Sequence, residues 1–191
     1  MGNAAKEKGT RLEKKVSVML TNLFDKPFQR TAGSGSFTGG KNKQRIEGMD
    51  STAVKAFRGD IIAPTGFNWV VECKNYTNLS AGFHGIMKGE SRHLEGFLNE
   101  VRYDADTDEG ELPYTLFVNI TKTDTGSSAG TWICLPEKHF NLVSHLAEKQ
   151  VPFTLYPHPI NEDYTEYESI VIVHKTYLEY LKEHILKGVS A

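Results

Sequence analysis

Residues 67–74 constrain the fold more than any other part of the chain, because their apolar and charged side chains alternate with the period of a β-strand. The charged residues Glu72 and Lys74 fall on the same face, so their side chains project together. The opposite face is apolar and must pack against other elements to leave water. The sequence therefore predicts a sheet with at least one covered face. The apolar residues are Phe67, Trp69, Val71 and Cys73.

The residues that precede this strand predict a hairpin with a second carboxylate. Residues 57–63 are largely apolar and contain Asp60, and the Pro-Thr-Gly sequence at 64–66 is typical of a turn. Pairing of the two strands would bring the Asp60 carboxylate next to that of Glu72. Two carboxylates offer the hard oxygen ligands that Mg²⁺ prefers.

This combination of side chains is suited to phosphodiester hydrolysis. A Mg²⁺ ion held by Asp60 and Glu72 could orient the attacking water and polarise the phosphate. Lys74 could stabilise developing negative charge or, if its pKa is depressed, help to deprotonate the water; the sequence does not choose between these roles. The competing interpretation is a surface ion pair between Glu72 and Lys74. Burial of the flanking strands disfavours it, because a buried charge needs a partner or a metal.

The order of these residues resembles the PD-(D/E)xK nuclease superfamily, in which an Asp and a later Glu-x-Lys carry metal binding and catalysis. Two upstream segments resemble the archaeal-type Holliday junction resolvases of that superfamily. Residues 8–13, Lys-Gly-Thr-Arg-Leu-Glu, open a helical pattern, and residues 30–36, Arg-Thr-Ala-Gly-Ser-Gly-Ser, follow the next apolar segment. The resemblance covers residues 6 to about 135. The long stretch 33–56 and a C-terminal extension depart from a compact resolvase.

The resemblance implies a fold, a metal and a set of site residues. The fold would be α/β and restriction-endonuclease-like, with an αβββαβ core, a central mixed sheet flanked by helices, and an added C-terminal strand and helix. Mg²⁺ or Mn²⁺ would be bound by Asp60, Glu72, Glu13 and the main-chain carbonyl of Cys73. Ser34 would assist at the phosphate. The implied catalytic residues are Glu13, Ser34, Asp60, Glu72 and Lys74.

The distribution of charge favours a nucleic-acid partner, although the net charge is only −2. Residues 1–60 contain 12 Lys and Arg against 6 Asp and Glu, whereas the remainder contains 10 against 18. Cationic side chains beside the predicted site would contact DNA phosphates, and the glycines of residues 33–56 would let main-chain amides approach them. A solvated loop with incidental lysines is the alternative interpretation of that stretch. The predicted DNA contacts are Arg30, Ser34, Lys41, Lys43, Arg45, Lys55 and Arg58.

Length and composition predict one domain, residues 1–191, with a core of about 6–135 and an extension of about 136–191. Neither a membrane-spanning apolar stretch nor a signal-peptide core is evident in the sequence. A cytoplasmic protein is therefore expected, in the host cytoplasm if a phage encodes it. Neither a phosphate-binding Walker motif nor a GxGxxG motif occurs, which argues against a nucleotide cofactor. Cutting a four-way junction requires two symmetric nicks, so a homodimer is expected.

Three functions are compatible with these features. A Holliday junction resolvase is favoured by the upstream segments. A nuclease of the same superfamily with another target is the first alternative, either a restriction-type duplex cutter or a repair or recombination nuclease that acts on flaps or ends. A DNA-binding module that has lost the chemistry is the second, and the presence of Asp60, Glu72 and Lys74 together argues against it.

Hydrophobic periodicity along the rest of the chain predicts helices packed on a mixed sheet. Residues 152–168 are expected to form an exposed loop or an oligomer contact, because prolines, tyrosines and acidic residues cluster there. Helices are predicted at residues 6–24, 90–104, 136–147 and 176–187, and strands at 28–32, 57–63, 68–74, 113–120, 131–135 and 170–174.

Overall fold

A computed structural model describes residues 3–31, 58–76, 91–107, 110–121 and 129–190 of the chain. None of the helices within these ranges combines the length and the apolar character that crossing a bilayer requires. The elements follow along the chain in the order α1 (Asn3–Phe24), β1 (Gln29–Arg30), β2 (Ile61–Ile62), β3 (Val70–Tyr76), α2 (Arg92–Ala105), β4 (Asp106–Thr107), β5 (Gly110–Glu111), β6 (Tyr114–Ile120), β7 (Gly130–Pro136), α3 (Glu137–Phe140), α4 (Val143–Glu148), β8 (Phe153–Pro159), β9 (Tyr167–His174), a 3₁₀ turn (Lys175–Tyr177) and α5 (Leu178–Val189).

Seven of these strands form one mixed sheet. Their spatial order is β1-β2-β3-β6-β7-β9-β8, and β4 and β5 pair separately. Strands β3 and β6 are parallel, with Val70 opposite Tyr114, and α2 lies in the connection between them. The other neighbouring strands of this sheet, as far as the structure describes it, are antiparallel. The parallel pair therefore forms the centre of the sheet, with antiparallel strands on both sides.

Helices pack on both faces of the sheet. Helix α1 packs through Leu12, Val16, Leu20 and Leu23, which recur at helical spacing and are buried in one apolar cluster with α5. Helix α2 belongs to a second apolar cluster on the opposite face. Alternation along β3 sends Val70 into the α2 cluster. Glu72 and Lys74 are in phase with Val70, so they lie on the α2 side of β3.

The structure confirms the predicted α/β fold with a central mixed sheet flanked by helices. Elements α1, β1, β2, β3, α2 and β6 follow the αβββαβ order of the predicted core. The single helix predicted at 136–147 is instead two short helices. The chain breaks the helix at Asn141, whose φ is 49°, and the Glu137 carboxylate accepts hydrogen bonds from the amides of Leu142 and Val143.

The prediction of an exposed loop over residues 152–168 is wrong, whereas an oligomer contact in this segment stays a prediction. This segment contains β8 and the start of β9. Strand β8 lies at the edge of the sheet, where Pro157 and Pro159 are tolerated because one side of an edge strand needs no ladder hydrogen bonds. The C-terminal part therefore supplies two strands rather than one, and β9 joins them to the core by pairing with β7.

Candidate active site

The main chain holds Asp60 between β1 and β3. Its amide donates a hydrogen bond to the Val71 carbonyl oxygen at 2.8 Å, and its own carbonyl oxygen accepts one from the Thr31 amide at 2.9 Å. The residue is only 5% exposed, and its Oδ2 accepts a hydrogen bond from the Cys73 amide at 2.9 Å. These bonds place the Asp60 carboxylate against the part of β3 that carries Glu72.

A glycine in the left-handed conformation allows this close approach. Gly59 has a φ of 71°, and a Cβ atom there would lie 2.6 Å from the Val71 carbonyl oxygen. Any other residue would combine backbone strain with a clash against β3. The position of the Asp60 carboxylate therefore depends on the residue before it.

Glu72 and Lys74 lie side by side on β3, as the alternation predicts. The Lys74 Nζ is 3.0 Å from Oε1 of Glu72, and it also contacts Oε2 of Glu100 on α2. The same Nζ lies 5.7 Å from the centre of the Phe97 ring. The Glu72 side chain is 11% exposed and that of Lys74 is 24% exposed. The pair is therefore largely enclosed between β3 and α2, unlike an ordinary surface ion pair.

Burial and neighbouring charges determine the protonation of this pair. Burial raises the pKa of Glu72 to about 8, and the negative charge of Asp60 adds to the rise while Lys74 opposes it. Burial by itself would lower the pKa of Lys74, but the carboxylates of Glu72 and Glu100 outweigh it and raise the pKa above its usual value. Lys74 is therefore an ammonium at neutral pH, in surroundings of negative potential.

Helix α2 adds a carboxylate that the sequence interpretation did not assign to the site. Asp104 is half-buried, and burial raises its pKa although the positive charge of Lys74 opposes the rise. Its charge also contributes to the raised pKa of Glu72. The predicted helix 90–104 contains Asp104, but helical periodicity does not show which strand lies opposite a given helix face. No signal in the sequence alone would have identified this residue.

Helix α1 brings Glu13 to the other side of β3. Glu13 is 8% exposed, and its Oε2 lies 3.4 Å from Nη1 of Arg30 on β1. Burial is the main reason that the pKa of the Cys73 thiol is raised, and Asp60, Glu72 and Glu13 add to the rise through their charges. The charges of three predicted carboxylates therefore affect the same side chain of β3, Cys73, although the three residues lie on different elements.

The chain also matches a known protein family. Residues 4–187 match the model of a protein family described as "Phage putative PDDEXK endonuclease". The chain belongs to this endonuclease family. No curated protein and no solved structure matches the chain significantly. The family match runs through β8 and β9, so the C-terminal strands of this PD-(D/E)xK endonuclease lie within the region that the family model covers.

Two predicted DNA contacts of the endonuclease lie at the edge of the site. Arg30 forms the ion pair with Glu13. Arg58 donates from Nη1 to the main-chain oxygens of Asp104 and Asp106, at 2.9 and 2.8 Å. Both guanidinium groups have partners within the protein, and contact with DNA would use their remaining N–H groups. The other predicted contact and catalytic residues, Ser34, Lys41, Lys43, Arg45 and Lys55, lie outside the described residues.

The oxygen donors of the endonuclease site fit a hard divalent cation, although they do not enclose one. Within the described ranges, no three His, Cys, Asp or Glu side chains come close enough together to hold a metal ion. Asp60 and Glu72 supply two carboxylates. Burial is the main reason that the pKa of Glu72 is raised, and a nearby cation would offset the charge of Asp60 that adds to the rise. Mg²⁺ commonly binds one or two carboxylates and completes its shell with water and phosphate oxygens. The donor set therefore fits an open site for Mg²⁺ or Mn²⁺.

Proposed function

We propose that this endonuclease hydrolyses DNA with Mg²⁺ or Mn²⁺ and that its substrate is a four-way junction. The observation that carries the proposal is the grouping of Asp60, Glu72 and Lys74, in which two buried carboxylates lie beside one ammonium. A buried carboxylate pair is costly unless a cation compensates it, so it favours a metal-binding role over a structural one. The resemblance of residues 8–13 and 30–36 to resolvases supports the junction as the substrate.

In the proposed mechanism Asp60, Glu72 and the main-chain carbonyl of Cys73 would hold the metal. The bound ion would supply an activated water and neutralise charge on the phosphate. The Cys73 amide holds the Asp60 carboxylate, and the Lys74 ammonium holds that of Glu72. Both carboxylates are therefore oriented in the protein itself, which lowers the cost of ordering them around a ligand.

Lys74 acts in this proposal as a charge stabiliser rather than as a general base. Its ammonium contacts the carboxylates of Glu72 and Glu100, and these contacts favour the protonated form. An ammonium beside the metal ligands is placed to stabilise negative charge on phosphate oxygens in the transition state.

Ser34 would assist at the phosphate, as the resemblance to resolvases implies. The resemblance also implies a metal contact for Glu13, but Glu13 pairs with Arg30 and does not group with Asp60 and Glu72 among the described residues, so we assign it no direct metal contact.

Resolution of a four-way junction also requires a second active site. Two symmetric strands must be cut, so the proposal includes a homodimer with two-fold symmetry. The basic N-terminal part of the chain would contact the phosphates through Arg30, Arg58 and the loop residues Lys41, Lys43, Arg45 and Lys55.

A panel of matched DNA substrates tests the proposed substrate. The purified protein is incubated with Mg²⁺ and a four-way junction, a flap, single-stranded DNA or linear duplex of shared sequence. Paired symmetric nicks in the junction, with little cutting of the other three, are the expected result. Preferential cutting of a flap or a duplex would show a nuclease with another target. A lack of cutting on every substrate, with junction binding retained, would favour the inactive DNA-binding module.

Simultaneous replacement of Lys41, Lys43 and Arg45 with Ala should weaken DNA binding at all sequences. Each phosphate contact that is lost should reduce the slope of log Kd against log salt by about 0.9, so the expected reduction is about 2 to 3. The measurement is fluorescence anisotropy of labelled junction DNA in Ca²⁺ across a salt series.

A matched control removes the same positive charge from the C-terminal part. Replacing Lys149, Lys175 and Lys187 with Ala should leave the salt slope close to that of the wild type, because these residues lie outside the basic N-terminal part. An equal loss of slope in both triple variants would indicate a general effect of net charge. It would then exclude the 33–56 stretch as a specific DNA surface.

A further inference from the structure

One face of α2 runs alongside the charged face of β3. Tyr76 at the end of β3 contacts a histidine ring of α2 at 5.1 Å between ring centres. Two residues earlier, Lys74 contacts an aromatic ring and a carboxylate of the helix. Two residues earlier again lies Glu72, and the negative charge of Asp104 on the helix adds to its raised pKa. Residues spaced three or four apart on α2 therefore face alternate residues of β3, and α2 forms a second wall of the active site. The helix residues are His93, Phe97, Glu100 and Asp104.

Within this wall, Glu100 makes direct contact with the catalytic residue Lys74. Its Oε2 contacts the Lys74 Nζ, which also contacts Oε1 of Glu72. The Glu100 side chain is 60% exposed, whereas that of Glu72 is 11% exposed. Solvent screens an exposed ion pair, so this contact contributes little to folding stability. Its effect is on the position of the ammonium, which is held between a buried carboxylate and one at the solvent edge.

We propose that Glu100 is a positioning residue that holds the Lys74 ammonium at the mouth of the active site. The proposal rests on the function proposed above, because it assumes that Lys74 stabilises the phosphate. Without the Glu100 charge, Glu72 is the remaining carboxylate in contact with Lys74 in the described part of the chain. The ammonium then moves toward Glu72, where it competes with the metal for that carboxylate and lies farther from the phosphate.

This role predicts effects of opposite sign on catalysis and on DNA binding. Loss of the Glu100 charge misplaces Lys74 and slows the chemical step. Loss of the same charge also removes a negative group from the solvent edge of a site that DNA must approach, which strengthens binding or leaves it unchanged. A residue with a purely structural role would weaken both, and a residue that only repels DNA would improve both.

The test compares Glu100→Gln, Glu100→Asp and wild type. The single-turnover cleavage rate of junction DNA is measured at saturating Mg²⁺, and the junction Kd is measured in Ca²⁺. Glu100→Gln should be slower by about 10-fold to 100-fold, the size of effect that a small misplacement of a catalytic group produces. Its Kd should equal or fall below that of the wild type. Glu100→Asp keeps the charge and should recover part of the rate.

A matched control and the wild type separate the possible failures. Glu183→Gln removes the same charge from an exposed position of α5 and should cleave at the wild-type rate. A Glu100→Gln rate equal to that of active wild type would overturn the positioning role and leave the proposed function intact. Weaker junction binding by both Glu100 variants would also overturn it. Inactivity of the wild type itself would overturn the proposed function, and this inference with it.

Discussion

Replacing Asp60 with Asn or Glu72 with Gln is expected to slow DNA cleavage by about 1,000-fold, while the junction Kd in Ca²⁺ changes little. Each change keeps the size of the side chain and removes one of the two buried carboxylates that the metal would bind. The measurement is the single-turnover rate of junction cleavage in Mg²⁺. Full activity of either variant would contradict the assignment of these residues as metal ligands.

The loss of activity should not be accompanied by a loss of folding. In Asp60→Asn, the amide oxygen of the new side chain can still accept the hydrogen bond from the Cys73 amide. In Glu72→Gln, the substitution removes a carboxylate whose ionisation is disfavoured in the folded chain. Urea denaturation should therefore give free energies of unfolding near that of the wild type. A large fall would show that inactivity reflects unfolding rather than loss of the metal site.

Glu72→Gln also makes a specific prediction about pH in the absence of metal. The pKa of Glu72 is about 8 in the folded chain, against 4.5 for a solvated glutamate, so the unfolded chain releases this proton at lower pH. The folded state consequently binds more protons between these values, and the free energy of unfolding of the wild type falls as the pH rises through this window. The Gln variant lacks this contribution. Its stability relative to the wild type should therefore increase from about pH 5 to about pH 8.

Replacing Gly59 with Ala is expected to lower the free energy of unfolding by about 3 kcal/mol and to reduce cleavage strongly. The φ of 71° disfavours any side chain, and the added Cβ would lie 2.6 Å from the Val71 carbonyl oxygen. Relief of this clash must move the chain away from β3. Such a shift breaks the hydrogen bonds that hold Asp60 against Val71 and Cys73. Urea denaturation and the junction cleavage assay measure the two effects.

Gly66 provides the matched control for this substitution. Its φ is also positive, at 87°, but a Cβ there meets no atom within 4 Å among the described residues. Gly66→Ala should therefore cost only the backbone strain, about 1 to 2 kcal/mol, and should leave cleavage nearly unchanged. Equal effects of the two substitutions would show that contact with β3 is unimportant at Gly59.

The sequence predicted the grouping of Asp60, Glu72 and Lys74 because the interactions that bring them together are local. Glu72 and Lys74 share a face through strand alternation, and Asp60 directly precedes β2, which pairs with β3. The same reasoning could not assign Glu100 or Asp104 to the site. Their approach to β3 depends on how α2 crosses the sheet, and that is determined by packing between residues distant in the sequence.

The C-terminal strands show a second limit of sequence patterns. Strand β8 contains Pro157 and Pro159, which usually exclude a strand from the interior of a sheet. Its place at the edge makes these prolines acceptable, but edge position is a property of the whole topology. The charged and aromatic residues between β8 and β9 therefore indicated a loop, although most of residues 152–168 belongs to two paired strands.

The location of the metal tests the proposed roles of Asp60 and Glu72 most directly. Crystals of the protein with Mn²⁺ and junction DNA, measured at the manganese absorption edge, would show the ion by its anomalous scattering. A manganese peak in contact with the carboxylates of Asp60 and Glu72 and with a phosphate oxygen of the DNA is the expected result. A fully occupied manganese site elsewhere, with Asp60 and Glu72 bound only to protein groups, would contradict these roles.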